Sequence, residues 1–599
     1  MSHPSTLIIG ATPRVTVTIA RCLNQQGITV HGATLVANSP WTRSRALRSF
    51  TRLPPIDQNS GENFYNALIQ LIDRYNIDTL IPTGDEVLSA LAQFEQPLRQ
   101  CVKLACPPAA VFRQVLDKSI TFQYAAALGI PLPRTVTIHS VADLEQLDPE
   151  FCFPAIVKPA NKGQHNALRI RYFNDIEAVR HFRHSVGDTV GAWLLQEYIP
   201  GQGVGIEVLL SHGKPVVVFQ HRRLKELPIT GGVAARCVSE TVDPLLRQHA
   251  LNLLNALHWE GAAMVEFRHD PATGRIGLME INGRYWGSMA LSLQIGVLFP
   301  WYEWQLLHHQ TPEPLLDYPI GRRMRWLAGD IERLPQIAGA VARRQCSPTA
   351  ALRDLGCFLS DFFAPTTRDA LWSWRDPRPA LDECFRAITG ISRQLIGKAS
   401  QVLIPIRVRL VLRRQHALGF LGFTRYWKRR LLPLQSEKPP HLNEMRRVLF
   451  VCHGNIMRSA IAEALLRKRL ADSGHPNFLD IHSAGLAALP GSPANTVACE
   501  IAPEFGVSLT HHRAQEVNQA LIDHVDYIFV MDGYNREHIN QSYPEAKHKV
   551  YMLGTLLPQQ PRRFIDIPDP YRKGSTATRR CFQQIEQCID RLFECIKPN

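Results

Sequence analysis

Arg446-Arg447-Val448-Leu449-Phe450-Val451-Cys452-His453-Gly454-Asn455-Ile456-Met457-Arg458-Ser459 sets the architecture of the C-terminal part of the chain. The apolar run before Cys452 predicts a buried strand, Cys452 to Ser459 a tight loop, and Ala460 to Leu470 an amphipathic helix. Strand, loop and helix in that order make an anion trap. Backbone N–H groups of such a loop point inward, and the helix directs its positive end at the same spot, so the loop can hold a phosphate dianion. The same field suits a thiolate at Cys452, the form of cysteine able to attack phosphorus. Arg458, six residues on, carries a planar fork that can grip two phosphate oxygens, a task for which lysine is less suited.

A cysteine followed by arginine at this interval carries little weight alone in a chain with thirteen cysteines, where a buried structural cysteine is the common case. The weight comes from what surrounds the pair: the strand before and helix after, Gly454 and Asn455 inside the loop, Ser459 beside Arg458, and a distant Asp569-Pro570-Tyr571. Cleaving a phosphate ester needs a proton for the departing oxygen, and a carboxylic acid on a rigid Asp-Pro turn can supply it. Asp569 is the candidate general acid. Together with Ser483-Ala484-Gly485, His512-Arg513-Ala514 and Asp526-Tyr527-Ile528-Phe529-Val530-Met531-Asp532, these features make residues 446–599 resemble the low-molecular-weight protein tyrosine phosphatases. The resemblance implies a parallel sheet flanked by helices and a phosphotyrosine protein as substrate. It also implies Cys452 as nucleophile, Arg458 as phosphate clamp, Asp569 as acid and then base, and Gly454, Asn455 and Ser459 as supports of the loop. Many members carry a second cysteine where this chain has Met457, so the protective disulfide they form is not expected and oxidation should be harder to reverse. Ile456 resembles the tyrosine-specific members rather than the arginine-phosphatase branch, and the shuttle cysteines of arsenate reductases cannot be placed.

A second cluster lies between residues 261 and 288. Val265-Glu266-Phe267 and Ile276 to Asn282 read as two strands joined by the turn-prone Asp270-Pro271-Ala272-Thr273-Gly274. A hairpin centred on Thr273 sets Glu266 opposite Glu280, with Asn282 on the same face. Like charges opposite each other repel, so a cation is wanted between them, and oxygen ligands of this kind suit Mg²⁺ with nucleotide phosphates completing its shell. The cluster resembles the ATP-grasp superfamily, which joins a carboxylate to an amine through an acyl phosphate, and the likeness covers roughly the first 310 residues. It implies ATP and Mg²⁺ as cofactors and small-molecule carboxylate and amine substrates. Lys118 and Lys158 would hold ATP phosphates, Glu197 and Ile199 of Gln196-Glu197-Tyr198-Ile199 would lie at the adenine hinge, and Glu207 at the ribose. Glu266, Glu280 and Asn282 would be the magnesium ligands, Arg284 a phosphate contact, and His221-Arg222-Arg223 neighbours of the carboxylate substrate. The phosphate-covering loop departs from the family: Ala160-Asn161-Lys162-Gly163-Gln164-His165-Asn166 keeps one glycine. A regulatory protein, whose N-terminal half binds ATP as a sensor or docking module without turnover, is therefore the rival expectation.

At 599 residues the chain should hold several domains. The expected division is an α/β unit over 1–107, an ATP-grasp domain over 108–310, a helical extension over 311–399, a basic linker over 400–445 and a parallel-sheet α/β phosphatase domain over 446–599. The fold class is thus multidomain α/β and α+β. Gly10-Ala11-Thr12-Pro13 lacks the further glycines of a dinucleotide fingerprint. Cys581, Cys588 and Cys595 recur every seven residues, a spacing expected to place them on the core face of one helix rather than around a metal. Unpaired cysteine spacing and the lack of a signal-like N-terminus predict a cytoplasmic protein. Much of the +14 formal charge lies between Lys398 and Arg430, which holds nine Lys and Arg and no acid, interleaved with apolar and aromatic residues. An anionic membrane surface and a linker helix packed on its own protein are equally open readings of that segment. Nucleic acid ranks third, since no nucleic-acid-binding signature accompanies the charge.

Overall fold

The computed structural model describes residues 4–36, 40–54, 61–148, 150–160, 170–186, 192–399, 424, 439–557 and 566–596. The basic segment and the phosphate-covering loop beyond Ala160 lie almost wholly outside the described residues. Two compact units emerge, Met1–Ile391 and Ser392–Asn599, each described by itself.

The first unit opens with a five-stranded parallel sheet of β1 (Ser5–Ile9), β2 (Thr29–Thr34), β3 (Ser49–Arg52), β4 (Thr79–Pro82) and β5 (Lys103–Leu104), in the order β3-β2-β1-β4-β5. Leu7 and Ile9 pack with Phe64 and Leu68 on one side, while Ile8 packs with Val15 and Ile19 on the other. Both faces are covered, which is why Leu7-Ile8-Ile9 of β1 run apolar without alternation. Pro13 starts the helix Pro13–Gln25 at a position where its missing N–H costs nothing. Next come the antiparallel strands β6 (Thr135–Ile138), β7 (Ala155–Pro159), β8 (Arg171–Phe173) and β9 (Trp193–Glu197), which form a four-stranded sheet. The remaining sheet is built from β10 (Gln202–Ser211), β11 (Lys214–Leu227), β12 (Val233–Glu240), β13 (Gly261–His269), β14 (Ile276–Asn282), β15 (Arg323–Arg325) and β16 (Thr367–Asp369), seven strands in the order β14-β13-β10-β11-β12-β15-β16. β13 and β14 form the expected hairpin, with Glu266 opposite Glu280 and Met264 opposite Asn282. A register shift after Glu266 pairs Phe267 with Leu278, so the turn side is one residue out of step with a hairpin centred on Thr273. The extension over 311–399 is not purely helical: β15 and β16 continue the large sheet beyond β12. At three residues each, they are too short to leave a periodic signal.

The second unit carries β17 (Arg447–Cys452), β18 (Asp480–Gly485), β19 (Tyr527–Val530) and β20 (Val550–Met552), a parallel sheet in the order β18-β17-β19-β20. Val448 and Phe450 face one core and Leu449 and Val451 the other. Phe450 is fully buried against Phe529, so truncating it to Ala costs about 3–5 kcal/mol. The helix Gly574–Ile596 buries Cys581 and Cys588 beside Ile585 and Leu592, but the third member of that series, Cys595, is exposed.

Candidate active sites

β17 ends at Cys452, and the chain turns sharply through Gly454 and Asn455 before the helix Arg458–Asp472 begins. Asn455 holds a left-handed backbone, φ 53°, which an L-residue adopts only at a cost. Its side chain compensates by donating to Ser459 Oγ and Ser483 Oγ, both at 2.9 Å, and accepting the Gln515 backbone N–H, also at 2.9 Å. The backbone N–H of Asn455 donates to Cys452 Sγ at 3.2 Å, and Ser459 Oγ lies 3.0 Å from the same sulfur. Gly485, on the neighbouring strand, has no room for a side chain: a Cβ there would come 2.8 Å from the loop backbone at Gly454 and Asn455. The loop is therefore held from below and from both sides before any ligand arrives.

Arg458 is 2% exposed and donates from Nη1 to Asp532 Oδ2 (2.9 Å) and to the Ile567 carbonyl (3.0 Å), while Nη2 lies 3.3 Å from Asp569 Oδ2. Burial works against the guanidinium charge, but Asp532, Asp569 and Cys452 outweigh it and hold the group above its ordinary value. Above the loop opens a cavity of about 230 Å³ lined by Cys452, Arg458, Asp569, Ile456 and Tyr571, among others. The sequence places Cys452, Arg458 and Asp569 as candidates, and the fold brings them around one space. Asp532 carries no assigned role in the sequence reading. It caps the helix Gly533–Ser542 through the Asn535 N–H and so has a fixed carboxylate to offer Arg458. Its signal was an Asp before Gly at a helix start. Met457 is buried beside the loop, and Cys581, in the same core cluster as Cys452, has its thiol pushed up to about 12, first of all by burial. That leaves Cys581 a poor partner for an oxidised Cys452.

A larger cavity in the first unit, about 530 Å³, is lined by Lys118, Lys158, Glu266, Glu280, Asn282 and Arg284 together with groups from the N-terminal sheet. Lys118 Nζ lies 3.1 Å from Glu280 Oε2, Lys158 Nζ donates to Gln196 Oε1 at 2.7 Å, and Arg284 pairs with Asp85 at 3.1 Å. Glu266 is hydrogen-bonded by Arg223. Burial pushes the Glu266 carboxyl up; Arg223 pulls the other way, and the facing Glu280 adds to the rise. The two opposed carboxylates and the Asn282 amide give an oxygen donor set that fits Mg²⁺, with Arg223 and Lys118 as counter-charges beside it.

Three expected nucleotide contacts are not part of this wall. Glu207 is fully buried on β10, its carboxylate 2.8 Å from His221 Nδ1 and close to Ser288 Oγ. β10 is a central strand of the seven-stranded sheet. Glu197 is gripped by both guanidinium nitrogens of Arg275 (2.6 and 2.7 Å), and Ile199 is buried with its carbonyl accepting from Arg268 Nε at 2.7 Å. Of His221-Arg222-Arg223 only Arg223 reaches the cavity, since Arg222 pairs with Glu240. The sequence reading missed Arg14. It is 5% exposed on the cavity wall, its guanidinium 3.8 Å over the Trp326 ring, with Nη1 donating to the Ala234 carbonyl at 3.0 Å and Nε buried without a partner. Burial, partly offset by Glu383, lowers it to about 10.

Residues 447–599 match the family model for low molecular weight phosphotyrosine protein phosphatases. The protein named "Probable low molecular weight protein-tyrosine-phosphatase EpsP" from Ralstonia nicotianae is 36% identical over 146 residues, 24% of this chain and 92% of the relative. Etp of Escherichia coli is 34% identical over 140 residues, 23% of this chain and 87% of the relative. Through its C-terminal unit the chain belongs to this phosphatase family. Residues 189–329 match the family model described as ATP-grasp in the biosynthetic pathway with Ter operon, so the phosphatase is fused to an ATP-grasp domain. Among solved structures, the L-amino acid ligase from Bacillus licheniformis is 17% identical, covering 54% of this chain and 79% of its own at a TM-score of 0.41. In this fused phosphatase, β17, the loop after it and the helix Arg458–Asp472 all fall within the matched residues, as does Asp569.

Proposed function

We propose that the C-terminal unit hydrolyses phosphotyrosine on a protein through a phosphocysteine intermediate. The carrying observation is Arg458 fixed by Asp532 and the Ile567 carbonyl, on the wall of the cavity that also holds Cys452 and Asp569. Cys452 Sγ attacks phosphorus while Arg458 and the loop N–H groups hold the equatorial oxygens. The ester oxygen leaves as the phenol, taking its proton from Asp569. The resulting carboxylate then takes a proton from the water that attacks the phosphocysteine, and phosphate departs with the thiolate restored. Gly454, Asn455 and Ser459 hold the loop, and Ile456 and Tyr571 give an aryl ring its walls. Rapid quench of the full chain with a radiolabelled phosphotyrosine peptide tests this: label should accumulate on the wild-type protein and not on Cys452→Ser.

For the first unit we propose an ATP- and Mg²⁺-dependent ligase of carboxylate–amine type. Glu266, Glu280 and Asn282 would hold Mg²⁺, which supplies charge to the phosphates when bound. Lys118, Lys158 and Arg284 would hold phosphate oxygens, and Arg14 and Arg223 would face the carboxylate substrate. Support comes from the register that sets two carboxylates opposite each other on a cavity wall. An ADP-release screen of the full chain against carboxylate and amine pools tests it. Tight Mg-ATP binding with no release in any pool would favour the sensor or docking role instead.

A further inference from the structure

The extension beyond the ATP-grasp sheet carries a surface that neither site uses. Along the helix Pro348–Ser360 no residue is buried. Leu352, Leu355 and Leu359 recur on it at intervals of three and four and so fall on one face, and Phe363 follows in the turn after the helix ends at Ser360. That face is open: Leu352 is 67% exposed, Leu359 53% and Phe363 87%. Further along, Trp374 is 86% exposed. Large apolar groups left open together mark an interaction surface. The helix is nonetheless anchored on its other side, where Asp354 pairs with Arg333 and Lys225, and Phe358 packs under Arg325.

The charges of this region are sorted by sign. From Arg343 to Arg378 the sequence has six arginines and four aspartates. All six arginines, 343, 344, 353, 368, 375 and 378, are exposed, and none of the aspartates is. Asp354 turns to Arg333 and Lys225, Asp361 to Arg236, and Asp376 to Arg21. Asp369 accepts the backbone N–H groups of Leu327, Leu371 and Trp372. Every exposed charge in the stretch is therefore a cation. That sign distribution selects among occupants. A second copy of the chain would bring the same six arginines against these. The chain's own segment from Lys398 to Arg430, with nine cations and no acid, would be repelled in the same way. At about 1.5 Å per residue, a helix this short cannot span a bilayer, and among the described residues no helix is long and apolar enough to do so.

We propose that this face docks the protein on an anionic lipid surface, with the leucines and Phe363 entering the headgroup boundary and the arginines holding lipid phosphates. Co-sedimentation of the full chain with vesicles tests it, comparing phosphatidylcholine alone with phosphatidylcholine containing phosphatidylglycerol. Binding should require the anionic lipid and weaken with added salt. Arg353→Gln should lower the partition about fivefold, since a basic residue near such a surface contributes about 1 kcal/mol. Phe363→Asp should lower it further, while circular dichroism and the thermal melt of the full chain stay those of wild type and show that the first unit is folded. The proposal is overturned by equal binding to neutral vesicles, by no binding, or by self-association that Phe363→Asp dissolves. It is equally overturned if Phe363→Asp and Leu359→Asp bind like wild type and only conversion of the nine cations of 398–430 to Gln abolishes binding, because docking then belongs to that segment.

Discussion

The two sites prepare for phosphate in opposite ways. In the phosphatase, the sulfur, the N–H groups and the guanidinium come from a single turn of chain, and among the described residues Asp532 and Asp569 are charged groups brought to it from afar. In the ATP-grasp cavity, cations and carboxylates arrive singly from many elements and are paired off: Lys118 with Glu280, Arg223 with Glu266, Arg284 with Asp85. A site built on backbone dipoles keeps its donors in place as an anion arrives, and the Asp569 contact with Arg458 is what must give way. A site of paired charges must exchange one partner for another, which makes its affinity conditional on a cation arriving with the anion.

The largest expected effect breaks one side alone. Cys452→Ser should reduce hydrolysis of an aryl phosphate to background while calorimetric Mg-ATP binding stays unchanged; residual turnover would remove the phosphocysteine step. Asp569→Asn should slow phosphotyrosine cleavage by roughly 10²–10⁴, the usual worth of a general acid, and slow an ester with a good leaving group much less. Equal losses on both would place the acid elsewhere. On the other side, Glu280→Gln should weaken Mg-ATP binding by more than about tenfold, since even disturbing an outer partner of a bound metal commonly costs that much. The same variant strands Lys118, so a modest drop in melting temperature without metal is expected alongside. Normal Mg-ATP affinity in Glu280→Gln would rule out the assigned metal site.

The smallest effect distinguishes the units by pH. Glu383, in the first unit, is raised by burial from 4.5 to about 7. Its folded form holds a proton more readily than the unfolded chain does, so its contribution is complete below about pH 4.5 and is lost as pH rises through about 7. His31 runs the other way: burial lowers it from 6.5 to about 4, and its contribution is complete above about pH 6.5 and lost as pH falls through about 4. In the second unit Asp526 is lowered, with burial opposed by Arg447 and backbone N–H groups, so its contribution is lost only as pH falls through the acid range. Thermal melts from pH 5 to 7.5 should therefore show the Glu383 loss in the ATP-grasp unit, and Glu383→Gln should flatten that slope. A slope unchanged by Glu383→Gln would rule Glu383 out as its source.

How much was legible follows from the same contrast. The phosphatase loop could be read because its chemistry is contiguous, and the Glu266–Glu280 pairing because hairpin partners mirror each other about the turn, whereas the register shift after Glu266 left no sign in the sequence. A lone carboxylate on a strand, such as Glu207, does not announce what covers it, and here Ser288 and the His221 ring do. Arg14 escaped notice because it opens a helix of the N-terminal sheet, more than two hundred residues from the carbonyl it bonds. Asp532 was visible as part of a pattern, but only the fold shows its carboxylate on Arg458.

On the roles proposed for Arg458 and Asp569, their contact has a kinetic meaning. At 3.3 Å the acid rests on the cation that the substrate dianion must engage. An incoming phosphate competes with the Asp569 carboxylate for the same Nη2, and winning that competition releases the acid toward the ester oxygen. The resting site is thus latched by its own catalyst, and the substrate itself is the key.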